Sequence, residues 1–192
     1  MSLTETRTRR FTVDEYYRMA DMGLFNGQRV ELIDGEIIEM APQRDVHFAT
    51  LNLLGEALRR AFGPEYGVRL QGPMRLGRDS EPEPDVSVVR GSSRDYIGTG
   101  RPTTALLIVE VADTTLRYDR TDKASLHASQ GIAECWIINL EDSRLEVYRE
   151  PIADSAARFA MRCNSTAVFG KGDSVSPLSM PGSRIPVSDM LP

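Results

Sequence analysis

Asp85, Glu110 and Lys123 are the residues of this chain whose types and spacing suit hydrolysis of a phosphate diester. Asp85 follows Pro84 and opens the apolar stretch Val86-Ser87-Val88-Val89, while Glu110 interrupts the run Leu106-Leu107-Ile108-Val109 before Val111. Carboxylates set into strands this apolar are costly to bury unless a positive charge compensates them. Their separation of 25 residues fits one strand, a loop and the return into a neighbouring strand, so adjacent strands can bring them together. Two carboxylates meeting at a sheet edge suit Mg²⁺, with Mn²⁺ as a substitute, because Mg²⁺ keeps several waters and takes one or two carboxylates. Lys123 comes 13 residues after Glu110, on the first turns of the next helical segment, where an ammonium can meet charge developing on a phosphoryl group. The plainer alternative is a Glu110 at the solvent end of its strand, an Asp85 that merely follows a proline, and a solvated lysine. Spacing alone leaves both open.

Two histidines stand near this trio. His127 lies four residues after Lys123 on the same helix face, either reaching the same site or packing structurally. His47 opens a long helical segment and is a candidate contact to substrate or to a metal-bound water. Neither belongs to an H-x-x-x-H or cysteine-pair pattern, so zinc is not expected. Acyl-transfer chemistry finds no G-x-S-x-G, and Cys135, between Glu134 and Trp136 in an apolar segment, has no neighbour to activate it. Cys135 and Cys163 are expected to be reduced structural thiols. With no G-x-G-x-x-G and no Walker motif, nucleotide-cofactor folds are disfavoured.

The elements that must position these residues are legible in the pattern. Thr12 with Glu15 predicts a capped helix running to Gly23. Asp34-Gly35 between Arg29–Ile33 and Glu36–Met40 predicts a hairpin. Val46, Ala49, Leu53, Leu54, Ala57, Leu58 and Ala61 recur at helical spacing from Asp45 to Phe62, stopped by Gly63-Pro64. Strands are predicted at Val68–Leu76, Asp85–Arg90 and Ala105–Ala112, with 91–103 as a surface loop. A second helix, capped by Asp119 or Thr121, runs to Gln130 and closes at Gly131. Strands follow at Ala133–Leu140 and Arg144–Glu150, with a strand pair around Ala157–Phe169. The order helix, strand, strand, strand, helix, strand describes an α/β or α+β domain with a mixed central sheet.

The length of 192 residues, with 41% hydrophobic and 27% charged, suits one domain over the whole chain, with residues 1–10 as a flexible tail. No apolar run approaches a membrane span and the start lacks a signal-peptide core, so a cytoplasmic protein is expected. A net charge of -5 counts against constitutive nucleic-acid binding. The basic stretches Arg7, Arg9, Arg10 and Arg59, Arg60 are either solvated or phosphate contacts. Ile185, Val187, Met190 and Leu191 in the tail could pack on their own core or on a second subunit.

RVELIDGEIIEM, APQRDVHFATLNLLGEAL, EPDVSVV, the run from Leu107 to Arg149 and the closing MPGSRIPVSDML together resemble the Uma-type family of restriction endonucleases, over nearly the whole chain. That family is similar to the PD-(D/E)XK nuclease superfamily, which implies a restriction endonuclease-like core plus an N-terminal hairpin. The resemblance implies that Asp85 and Glu110 bind Mg²⁺ and that the backbone carbonyl of Val111 adds a ligand. The superfamily lysine two residues after the second carboxylate is absent, since Ala112 stands there. The resemblance implies that Lys123 supplies the missing charge, with Glu31 and His47 lining the cleft. His127 and Cys135 stand where the family usually has tyrosines. The leading expectation is a Mg²⁺-dependent endonuclease acting on nucleic acid, DNA first, as a homodimer. The alternatives are a catalytically inactive nuclease-fold protein that binds nucleic acid or regulates, and a structural partner protein.

Overall fold

The computed structural model describes residues 7–98 and 100–192, so residues 1–6 of the expected tail lie outside the described residues. Helix α1 (Val13–Asp21) begins with the predicted capping box: the Glu15 amide donates to the Thr12 hydroxyl, and the Thr12 amide donates to the Glu15 carboxylate. Strands β1 (Val30–Ile33) and β2 (Glu36–Glu39) form the hairpin, with Ile33 opposite Glu36. Asp34 and Gly35 both have positive φ, 52° and 72°, which is the twist a two-residue hairpin loop requires.

Helix α2 spans Asp45–Phe62 as its periodicity predicts, yet its buried face differs at the start. His47, Thr50 and Leu51 turn inward in the first turns, whereas Val46 and Ala49 are exposed. The reason is local: this end of the helix borders a polar cleft, and only the later turns meet the apolar core.

A six-stranded sheet follows in the order β3 (Tyr66–Leu70), β4 (Val86–Arg90), β5 (Leu107–Ala112), β6 (Glu134–Asn139), β7 (Arg144–Ala153) and β8 (Met161–Phe169). All neighbours are antiparallel except β5 and β6. A parallel pair needs a crossover, and a helical segment supplies it. It runs as α3 (Leu116–Tyr118), a π-helical turn at Asp119–Lys123, and α4 (Ala124–Ser129). The predicted helix start is therefore corrected. Asp119 does not cap; it is buried inside the helical run, where its carboxylate accepts a hydrogen bond from the Thr115 hydroxyl at 2.6 Å.

Other predicted elements also differ in detail. β3 stops at Leu70, because Gln71 takes a left-handed conformation with φ 49° and the chain leaves the sheet. The 91–103 loop contains a short 3-10 turn, Ser93–Tyr96. The expected strand pair near 157–169 is one strand, β8, zipped onto a longer β7. Short strands β9 (Ser174–Val175) and β10 (Ile185–Pro186) end the fold.

The sheet is covered on both faces. On one, α2 packs over Val86, Val88, Val109 and Trp136, joined by the tail residues Ile185, Val187, Met190 and Leu191, which bury against their own chain. On the other, Leu126 of α4 and Ile33 of the hairpin pack with Ile108 and Cys135. Alternation along β5 puts Glu110 on this second face with Ile108. Both cysteines are free. Among the described residues no helix is long and apolar enough to cross a membrane.

Candidate metal centre

The antiparallel pairing of β4 with β5 sets Val86 opposite Val109, which brings Asp85 beside Glu110 and Val111 at the strand ends. The Asp85 amide points at Glu110 Oε2 at 3.5 Å, and the Val111 amide donates to Asp85 Oδ2 at 2.8 Å. The contact made by Val111 here is thus through its N–H. Lys123 descends from the π-helical turn, with Nζ 3.3 Å from Glu110 Oε2 and 3.7 Å from Glu31 Oε2 on the hairpin. His47, on the first turn of α2, places Nε2 3.2 Å from Asp85 Oδ2. All five side chains meet at the floor of a cleft of about 440 Å³, walled by the hairpin on one side and residues 113–119 on the other.

Burial is severe. Glu31, Glu110 and Lys123 are 3%, 2% and 7% exposed. The alternative of a solvent-end glutamate and a solvated lysine therefore does not hold. Ala112, two residues beyond Glu110 on the same face, is small and buried, and Lys123 brings its ammonium to Glu110 from the crossover helix instead.

Several neighbours had no readable signal. Asp119 lines the same cleft from within the π-helical turn, four residues before Lys123, and no residue pattern announces that turn. Gln71 donates its side-chain amide to Asp85 Oδ1 at 3.3 Å and its backbone amide to the Asp85 carbonyl at 2.9 Å. The Gly72-Pro73 that follows marks a turn but not the positive φ that aims Gln71. His127 is wholly buried and packs structurally behind the cleft, and its Nε2 lies 3.3 Å from Glu110 Oε1, so both of its open readings have a part in the outcome.

The electrostatics follow from four carboxyl groups gathered around one ammonium. Burial, reinforced by Asp85 and Glu31, raises the Glu110 carboxyl to about 7 even with Lys123 beside it. Burial and the nearby Glu110 likewise raise Asp119 to about 7. Burial opposes ionisation of Asp85, but His47, the Val111 amide and Lys123 outweigh it and hold the group below its ordinary value. Burial would lower His47 and Lys123, and the surrounding carboxylates instead raise both. His127 is pushed down to about 3 by burial and by Lys123, so it is neutral.

These residues fit a hard divalent cation. Asp85 and Glu110 offer oxygen donors, and the excess of buried carboxylates over cations is the imbalance that a bound metal corrects. His47 Nδ1 and the Tyr118 hydroxyl, both on cleft residues, are buried without hydrogen-bond partners among the described residues, as expected where a polar ligand completes the site. No set of three His, Cys, Asp or Glu among the described residues forms a metal shell, so waters would fill most positions, as Mg²⁺ prefers.

Comparison with known proteins bears on the family and the fold. A family described as Uma2, "Putative restriction endonuclease", matches residues 13–188. A crystal structure described as "a putative nuclease belonging to DUF820", from Anabaena variabilis ATCC 29413, superposes with a TM-score of 0.67 at 16% identity, covering 94% of this chain and 97% of that one. At that identity the likeness concerns the fold. No curated protein matches the chain.

Proposed function

Because the chain belongs to the Uma2 family of restriction endonuclease-like proteins, we propose that it is a Mg²⁺-dependent endonuclease that hydrolyses phosphodiester bonds of nucleic acid, DNA first. The observation that carries this reading is the cluster of Glu31, Asp85, Glu110 and Asp119 around buried Lys123, open to a cleft. Asp85 and Glu110 would hold the metal, with the Val111 carbonyl as a further ligand. Bound there, Mg²⁺ supplies a Lewis acid that polarises a phosphoryl oxygen and lowers the pKa of an attacking water.

The chain's own residues do the rest. Lys123, kept charged by its carboxylates, faces the position where negative charge grows on the phosphoryl group. Glu31 accepts the Glu83 amide at 3.1 Å and lies 3.7 Å from the Lys123 ammonium, so it orients that ammonium while itself fixed by the backbone. His47 and Gln71 hold opposite oxygens of Asp85, and His127 holds the far oxygen of Glu110. Cutting both strands of a duplex calls for two such sites related by two-fold symmetry, so the working form is a homodimer.

Purified protein with Mg²⁺ or Mn²⁺ should cleave plasmid DNA or RNA, and Asp85→Ala and Glu110→Ala should each abolish cleavage. Cleavage that survives both substitutions rules the assignment out. Light scattering reads the dimer directly.

A further inference from the structure

The cleft is poorly suited to hold a polyanion unaided. Acidic side chains lining it outnumber lysines and arginines seven to three. Two of those three are already neutralised: Arg29 pairs with Glu83 at 2.8 Å, and Arg44 pairs with Asp113. A nuclease whose cleft repels phosphates must grip the substrate backbone elsewhere.

A second cavity, of about 590 Å³, lies between the C-terminal end of α2 and the loop after β4. Arg59 and Arg94 line it, together with Ser93, Tyr66 and Gly63. The two adjacent arginines of the α2 end divide here. Arg60 is tied to Asp189 at 2.9 Å. Arg59 has no carboxylate partner among the described residues and makes only a 3.5 Å contact to the Val68 carbonyl. The Arg94 side chain has no ion-pair or hydrogen-bond partner among the described residues, and both guanidinium groups belong to exposed residues. The nearby Asp95 carboxylate is engaged by the Ser92 amide and hydroxyl. Gly63 has nothing within 4 Å of where a side chain would begin, so that part of the wall is open.

Resting on the nuclease reading, we propose that this cavity binds a phosphate of the nucleic-acid backbone through Arg59 and Arg94 and anchors the substrate for the cleft. The two places are joined by rigid elements. Helix α2 carries His47 at the cleft and Arg59 at the cavity, and β4 runs from Asp85 towards the loop that holds Arg94. Twelve residues of helix set the two roughly 18 Å apart along the α2 axis. That span corresponds to about five base pairs of a duplex. Planar guanidinium groups suit phosphate oxygens, and the Tyr66 ring offers an apolar surface for the adjoining sugar.

The test uses the full chain with Ca²⁺ replacing Mg²⁺, a fluorescein-labelled 16-nucleotide duplex read by anisotropy, and inorganic phosphate read by calorimetry. Wild type is compared with the Arg59→Gln/Arg94→Gln double variant and with Arg144→Gln, which removes one exposed charge at the start of β7. Thermal melting checks that all three are folded. The double variant should lose on the order of tenfold in affinity per arginine at 0.1 M salt, and its log–log salt slope should fall by about two. Arg144→Gln should stay within about twofold of wild type, because it touches no backbone anchor. Unchanged duplex binding in the double variant overturns the proposal. So does phosphate binding without duplex binding, which marks a free-phosphate site, and so does binding of neither. Cleavage is scored separately. A protein that binds through these arginines but never cuts keeps the anchor and loses the nuclease reading; one that cuts and ignores the double substitution does the reverse.

Discussion

Glu110 concentrates the electrostatic tension of the site, and its consequences are measurable at a single residue. With its carboxyl raised to about 7, binding of the proposed metal would displace a proton below that pH. Calorimetry should find Mn²⁺ affinity at pH 6 roughly tenfold weaker than at pH 8, and equal affinities would contradict the placement of Glu110 in the metal site. The same shift acts on folding. A carboxyl raised from 4.5 to about 7 binds more protons folded than unfolded across that window, so metal-free stability falls as pH rises through it. Asp119, raised from 3.8 to about 7, has the same sign, and so does His47, raised above 6.5. His127, lowered to about 3, opposes them below 6.5, because there the unfolded state holds the extra proton. Two raised carboxyls outweigh one lowered histidine, so urea unfolding in EDTA should show stability decreasing from pH 5 to pH 7. Added Mg²⁺ should flatten that trend. Lys123→Met removes the buried ammonium among these carboxylates and should lower stability at pH 7 by about 3–5 kcal/mol in EDTA, partly restored by Mg²⁺. A variant as stable as wild type without metal would mean that the carboxylates do not depend on Lys123.

At the scale of elements, the site depends on a hairpin and on an irregular turn of helix. Gly35 lets the hairpin close: a Cβ there would lie 2.5 Å from the Arg10 Cβ and 2.9 Å from the Phe11 amide nitrogen, on a backbone with φ 72°. Gly35→Ala should cost about 1–3 kcal/mol from backbone strain alone. Because β1 carries Glu31, it should also loosen the Lys123 environment, visible as weaker Mn²⁺ binding. The π-helical turn at Asp119–Lys123 carries the inserted residue that π-bulges typically represent, and such bulges recur at functional sites. Deleting Thr121 should regularise the helix and turn Asp119 by about 100° about the helix axis relative to Lys123, changing how the two meet the cleft. Circular dichroism should then keep its helical signal while cleavage and Mn²⁺ binding are lost. Retained cleavage would show that the bulge is incidental.

At the scale of the molecule, the C-terminal segment completes the core. Met190 is fully buried beneath α2 and the sheet, so Met190→Ala should destabilise by about 2–5 kcal/mol in urea unfolding. Activity per folded molecule should be unchanged, since Met190 lies outside the cleft lining. The overall charge of -5 is spread unevenly: acid gathers at the cleft, whereas Arg59 and Arg94 stand unpaired at the other end of α2 among the described residues.

Sequence by itself determined the order of elements, the hairpin, the extent of α2, and the identity of Asp85 and Glu110 as awkward carboxylates in apolar strands. These are local matters of turn chemistry, period and strand composition, and short-range physics decides them. It left open whether Lys123 reaches the carboxylates, and it misplaced the inward face of α2, naming Val46 and Ala49 where Thr50 and Leu51 turn in, and the capping role of Asp119. Gln71 went unseen. Those outcomes depend on a π-helical turn, a left-handed residue after β3 and the packing of helix against sheet. Only the tertiary structure decides them, because each is set by partners remote in the chain: Glu110 for Lys123, Asp85 for His47 and Gln71.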